Sequence, residues 1–374
     1  MIKRYFNLEK EIRPDKVLII YGPRQVGKTT LLENFLSRTK LVYRLESGEN
    51  IRTQQIISSR DFKLLKQYAE GYNLIAIDEA QNIPEIGLGL KILIDQNKKL
   101  KIIATGSSSF EINRNIGEPL TGRKRTIILY PVSQLELLNQ QTEFDLKEKL
   151  EDFLIYGSYP EVLTVKRKSL KIEILNELVD SYLLKDILTF DKIKNSKKLF
   201  DLLKLLAFQI GNEVSLNELA TQLKIDVKTI GRYLDLLEKT FVIKRMGSFG
   251  RNLRKEITTK SKYYFLDTGI RNAVISQFNK IDLRNDVGKL FENFIMMERI
   301  KSNHYKRRIG QMYFWRTYQN KEIDLIEERN GKIFAYEIKW SEKTKVKKPL
   351  EFLNTYKNST FKVINKNNYL KFLK

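Results

Sequence analysis

The sequence predicts an α/β chain of several domains, and three features predict it. Short β-rich apolar runs alternate with helical patterns over residues 1–140, the mark of a parallel sheet joined by crossover helices. Beyond that stretch the periodicity turns helical, then gives helices ending in a hairpin, then one helix mixed with several strands. At 374 residues and 42% hydrophobic, the chain is too long for one core and apolar enough for two or three.

In chain order, the first domain (1–140) has predicted strands at Val17 to Tyr21, Leu41 to Leu45, Leu74 to Ile77, Lys101 to Ala104 and Thr126 to Leu129. Residues 141–199 read as a helical lid, with a stripe of Leu175, Leu178, Val179, Tyr182 and Leu183. Residues 200–266 read as a winged helix-turn-helix, and 267–374 as a small α/β domain. The longest apolar runs are strand-sized, so no membrane span is expected. The first ten residues lack the apolar core of a signal, which predicts a cytoplasmic protein. With no cysteine and one histidine, thiolate and multi-histidine metal centres are excluded, and any metal must sit on carboxylates and hydroxyls. His304, beside Lys306-Arg307-Arg308, reads as a solvated surface residue. The formal net charge of +23 favours polyanionic partners. Positive charge is densest at the end: residues 331–374 hold 11 Lys against 3 Glu, whereas residues 1–140 hold 22 basic against 15 acidic.

The strand Val17 to Tyr21 runs into Gly22-Pro23-Arg24-Gln25-Val26-Gly27-Lys28-Thr29-Thr30 and then into a helix with Leu31, Leu32, Phe35 and Leu36. That order makes a P-loop: Gly22 and Gly27 let backbone N–H groups wrap phosphates, and the helix N-terminus adds its positive end. Lys28 is expected to meet the β- and γ-phosphates and Thr29 to hold magnesium. The strand Leu74 to Ile77 ends in Asp78-Glu79, at the strand terminus where such sheets bind ligands. Asp78 would hold Mg2+ through water and Glu79 would orient and deprotonate the attacking water, so the pair predicts hydrolysis of ATP. Thr105 and Ser107, in the run Thr105 to Ser109, stand where a γ-phosphate sensor belongs, although a Gly-Ser turn explains them equally. Arg123 suits a phosphate in the same or a neighbouring subunit, and equally a solvated position.

Ser215-Leu-Asn-Glu218 reads as a capping box that starts a helix near Leu216. After the turn Lys224-Ile-Asp226, a second helix is expected from about Val227 to Lys239, with Ile230, Leu234, Leu237 and Phe241 as its core stripe. Lys228, Thr229 and Arg232 then face outward, where a recognition helix meets DNA. A hairpin, Phe241 to Met246 with Lys262 to Leu266, brackets a loop carrying Arg251, Arg254, Lys255 and Lys260. Winged modules also bind proteins, so DNA contact and packing both remain open.

Near the C-terminus, Asn330-Gly331 flanked by strands signals a two-residue hairpin. Pairing Arg329 with Lys332 sets Asp324 opposite Glu337 on one face, with Lys339 facing Glu322 and with Ile323, Leu325, Phe334, Tyr336 and Ile338 on the other. Opposed acids repel unless a cation joins them, so a magnesium on Asp324 and Glu337, with Lys339 beside the water or scissile phosphate, explains the pattern. Glu292, on the preceding helix, would complete the site. A solvated face with Glu322 paired to Lys339 explains the pattern as well.

Together these segments resemble a family of archaeal and bacterial AAA+-type P-loop ATPases that carry a C-terminal winged helix and a restriction-endonuclease-like part. The motifs behind the resemblance are GPRQVGKTT, IDEAQ, TGSSS with LTGR, YFLDTG at Tyr264 to Gly269, GKLFENF, FWRT, EIDL and EIKW, in that order. The resemblance implies that Asp324, Glu337 and Lys339 match the Asp and Glu-x-Lys pattern of a nuclease superfamily, and Glu292 its helix acid. It also implies a homo-oligomeric ring, and it does not imply that the nuclease site is active. The expected function is a Mg-dependent ATPase acting on or with DNA, with metal-dependent cutting at the C-terminal site. The alternative is an ATP-gated switch that binds nucleic acid or a protein without chemistry there.

Overall fold

The computed structural model describes residues 2–107, 119–183, 196–250, 261–317 and 321–374, the side chains of 181–183 excepted. Ser108, Ser109, Arg251, Arg254, Lys255 and Lys260 lie outside the described residues. The chain divides into two compact units: Arg4–Pro131 with Lys239–Phe241, and Met1–Lys3 with Val132–Glu238 and Val242–Lys374.

In the first unit, α1 (Leu8–Glu11) precedes β1 (Val17–Tyr21), α2 (Lys28–Leu36), β2 (Tyr43–Ser47), α3 (Ile51–Ser58), α4 (Phe62–Ala69), β3 (Leu74–Asp78), α5 (Ile86–Gln96), β4 (Lys101–Gly106) and β5 (Lys124–Ile128). The strands form one parallel sheet in the order β2-β3-β4-β1-β5. Central strands covered on both faces need apolar side chains throughout, and β1 is buried along its whole length. The edge strand β2 alternates exposed and half-buried residues and begins two residues later than expected, because Val42 already turns toward Asn73.

The second unit continues with α6 (Gln134–Leu137), α7 (Glu143–Glu148), α8 (Leu150–Tyr156), α9 (Pro160–Thr164), α10 (Lys168–Glu177), a π-helical stretch Leu178–Leu183 and α11 (Ser196–Phe208). Then come β6 (Glu213–Val214), α12 (Leu216–Leu223), α13 (Val227–Lys239), β7 (Ile243–Ser248), β8 (Ser261–Phe265), α14 (Thr268–Val274) and α15 (Val287–Tyr305). It closes with β9 (Gln311–Arg316), β10 (Glu322–Arg329), β11 (Lys332–Ile338), α16 (Leu350–Thr355), β12 (Ser359–Ile364) and α17 (Tyr369–Leu373). One mixed sheet runs β12-β11-β10-β9-β7-β8-β6.

Four expectations change here. The sheet crosses the boundary expected at 266/267, because Gly247 and Ser248 of β7 pair in parallel with Tyr313 and Phe314 of β9. The segment expected as a lid is built into this second unit: the Asn272 amide donates to the carbonyls of Leu154 and Ile155, and the Thr268 hydroxyl to that of Phe153, satisfying the open end of α8. Gly157 has φ +73°, and a Cβ there would meet Asp267 Oδ1 at 1.9 Å. Phe241 does not join the stripe of α13; the helix ends at Lys239, and the Phe241 ring packs in the first unit at 5.6 Å from Tyr21 and 6.3 Å from Tyr130. His304, expected as solvated, is half-buried on α15, and burial with the nearby Arg307 lowers its pKa to about 4. Among the described residues, no helix is long and apolar enough to cross a membrane.

Candidate active site

The phosphate cradle follows from the backbone. Gly22 has φ +150°, and a Cβ there would sit 2.1 Å from the carbonyl oxygen of Leu129; Gly27, at φ +88°, caps α2 in the left-handed region. Val26 is fully buried and anchors the loop, whereas Arg24, Gln25, Thr29 and Thr30 are exposed around it. Arg4, which sequence reasoning missed, clamps this loop: its guanidinium donates to Val26 O at 2.5 Å and Tyr130 O at 2.6 Å. Lys28 is buried, and its ammonium donates to the carbonyls of Gly22 (3.1 Å) and Pro23 (2.9 Å) within the cradle.

Asp78, the last residue of β3, meets the loop. The Thr29 hydroxyl donates to Asp78 Oδ2 at 2.8 Å, so the two expected magnesium ligands converge. The buried Thr105 hydroxyl donates to Asp78 Oδ1 and accepts the Glu79 N–H at 3.2 Å. Thr105 therefore holds both acids, a different placement from that of a sensor facing the phosphate. Glu79 has φ +50°, and the Gln81 amide donates to its carboxylate while accepting Ser107 N–H at 3.3 Å. Gln81 was legible only as part of IDEAQ; its two-residue offset from Glu79 was the available signal. Gly48 was missed altogether, although a Cβ there would lie 2.2 Å from Glu79 O. Arg123 lies apart. Its carbonyl accepts Val17 N–H at the start of β1, so it sits a five-residue strand, roughly 15 Å, from the cradle, with its guanidinium on Asp95 at 2.8 Å. Contact with a phosphate in the same subunit is thereby removed.

The second unit assembles the other set. The hairpin pairs Arg329 with Lys332 and Leu325 with Tyr336, the expected register. Asp324 is buried and accepts Ile338 N–H at 2.8 Å, and Lys339 Nζ lies 2.6 Å from Glu337 and 3.7 Å from Asp324. Glu292 on α15 accepts the Tyr264 hydroxyl at 2.7 Å and pairs with Lys289 at 3.0 Å and Lys262 at 3.4 Å. Glu322 pairs with Lys262, not with Lys339 as a solvated face would require. Burial, then the charges of Glu292 and Glu337, raise Asp324 to about 7. Burial pulls Lys262 down, but Glu292 and Glu322 outweigh it and hold the ammonium above its ordinary value. Lys262 was missed as a site residue; a lysine inside the otherwise apolar run of β8 was the signal. Among the described residues, no group of three or more acidic or histidine side chains takes up metal-holding geometry.

The two helices expected here form within their bounds, with Lys224 left-handed (φ +53°) at the turn between them. Lys228 and Arg232 are exposed, whereas the Thr229 hydroxyl donates to Asp226 Oδ2 at 2.6 Å, and Asp226 Oδ1 caps α13 by accepting Thr229 N–H at 2.8 Å.

A parallel sheet of this order, with a lysine-bearing glycine loop after β1 and an acidic tip on β3, is a P-loop arrangement, and residues 14–138 match the AAA domain family. Residues 147–281 match a domain of unknown function, DUF8612, and residues 287–370 another, DUF4143. The chain is similar to an uncharacterized protein of Methanocaldococcus jannaschii, 25% identical over 86% of this chain and 74% of that one. It is also similar to one of Haemophilus influenzae, 26% identical over 90% and 86%, and to one of Mycobacterium tuberculosis, 25% identical over 89% and 72%. Among solved structures it overlaps a STAND protein with a tetratricopeptide repeat sensor from Pyrococcus horikoshii (TM-score 0.26, 14% identity, 77% of this chain) and spans 43% of that chain's length. AMPPCP-bound DnaA from Aquifex aeolicus overlaps 63% of this chain and 85% of its own, with TM-score 0.30 and 18% identity.

Proposed function

We propose that the chain is a magnesium-dependent ATPase whose second unit engages nucleic acid, DNA in the first instance. The observation that carries the ATPase reading is the 2.8 Å bond from Thr29 to Asp78 beside the buried Lys28. A hydroxyl and a carboxylate side by side are the oxygen donors a hard cation takes, so the pair fits magnesium. Magnesium bound there would offset phosphate charge. Lys28 would leave the Gly22 and Pro23 carbonyls for the β- and γ-phosphates, and Glu79, held by Gln81, would take the proton of the attacking water. ATP turnover by wild type, Lys28→Ala and Glu79→Gln tests this. Turnover unchanged in both variants removes the reading.

Nucleic acid is supported by the net charge of +23 and by exposed Lys228 and Arg232 on α13. Asp324 and Glu337 converging on Lys339 favour a second reading, metal-dependent cutting of DNA, with Glu292 nearby. Incubation with magnesium and single-stranded, branched or duplex DNA tests it. Cleavage that survives Asp324→Ala places the nuclease elsewhere, and salt-sensitive binding without cleavage leaves an ATP-gated switch. A homo-oligomer, with Arg123 acting across a subunit boundary, belongs to the same proposal.

A further inference from the structure

Beside the acidic site of the second unit lies an open cavity of about 200 Å3, smaller than the about 300–1,000 Å3 of a site that encloses a whole ligand and suited to part of one. Its walls divide by chemistry. Ile323, Val346, Pro349 and the half-buried ring of Phe361 make one side apolar. Glu322, Glu337, Lys339, Lys345 and Lys347 make the other charged. Glu337 already faces Lys339 at 2.6 Å, and Glu322 faces Lys262. Lys345 and Lys347 are exposed and, among the described residues, have no ion-pair partner. The cavity therefore offers two free ammoniums next to an aromatic face.

We propose that this cavity seats one nucleotide of a single strand, its phosphates on Lys345 and Lys347 and its base against Phe361. The proposal rests on reading the second unit as a nucleic-acid-binding unit. A duplex keeps its bases stacked on one another, so an apolar wall one base wide suits an unstacked strand. Lysine acts as a point charge toward phosphate and asks for no fixed orientation, which fits two side chains on an exposed loop.

The experiment is fluorescence anisotropy with full-length protein in EDTA, so that nothing is cut. The probes are a labelled thymidine decamer and an abasic decamer with the same phosphates. Removing two phosphate contacts in Lys345→Ala/Lys347→Ala should weaken both probes about tenfold and reduce the slope of log affinity on log salt by about 1.4. Phe361→Leu, which keeps the side chain apolar but removes the ring, should weaken the thymidine decamer at least about fivefold and leave the abasic one unchanged. Variants that bind like wild type overturn the cavity and leave nucleic-acid binding standing. Sensitivity to the lysines alone also overturns it, since a bare anion site or an acidic peptide needs no base wall. A wild type that binds neither decamer ends both this inference and the reading beneath it.

Discussion

Acids converge at two places in this molecule, at the tip of β3 and across the β10–β11 hairpin, and the fold balances them in opposite ways. Asp78 is held by two neutral hydroxyls, Thr29 and Thr105. Asp324 and Glu337 face the Lys339 ammonium, and Glu292 and Glu322 face Lys262. Neutral donors orient a carboxylate and leave its charge for an incoming cation. Ammonium groups meet that charge inside the fold, and a divalent ion would have to displace them. Clustered acids thus do not by themselves define a metal site; what their partners carry decides it.

The largest expected effect breaks the built-in balance. Lys262→Met leaves the buried Glu292 with Lys289 alone and the half-buried Glu322 with only Arg316 at 4.0 Å; breaking a buried pair costs about 3–5 kcal/mol, and these remaining partners put the loss near the lower end. Urea melts of the second unit's transition check this; a loss below about 1 kcal/mol would show that water, not Lys262, balances the acids. Next comes Lys28→Ala, which should slow ATP turnover about 10²–10³-fold by removing a cation aimed at the transition-state charge. The same variant should leave that urea transition in place. Smaller again is Thr105→Val, which leaves Asp78 with one hydroxyl and Glu79 N–H without its acceptor, a cost of about 1–3 kcal/mol. If Thr105 positions the acids, kcat should fall with KM for ATP nearly fixed; a rise in KM alone would return it to the role of a phosphate sensor.

Much of this was legible because local rules carry far. The P-loop, the bounds of α13 and the hairpin register followed from glycine placement, capping residues and the Asn330-Gly331 turn, each decided within a few residues. What stayed hidden was settled by distant partners. Gly247 pairing with Tyr313, Asn272 closing α8 and Arg4 clamping Val26 join segments 22 to 118 residues apart, and no periodicity encodes them. Arg123 shows the other limit: its residue type suited a phosphate, but strand direction put it at the opposite end of the sheet.

The finest test of the contrast is pH. Burial, Glu292 and Glu337 raise Asp324 to about 7 in the fold, from the ordinary carboxyl value of 3.8 that an unfolded chain would keep. Between those values the unfolded state binds fewer protons than the folded one, so this group's contribution to stability falls as pH rises from about 4 to about 7. Asp324→Asn keeps an oxygen for Ile338 N–H and cannot ionise. Measured in EDTA, the variant should gain on wild type across that window by on the order of 1 kcal/mol. A pH profile of Asp324→Asn that parallels wild type would mean that Lys339, 3.7 Å away, keeps Asp324 ionised through the window, and the distinction between the two strand tips would rest on geometry and not on charge.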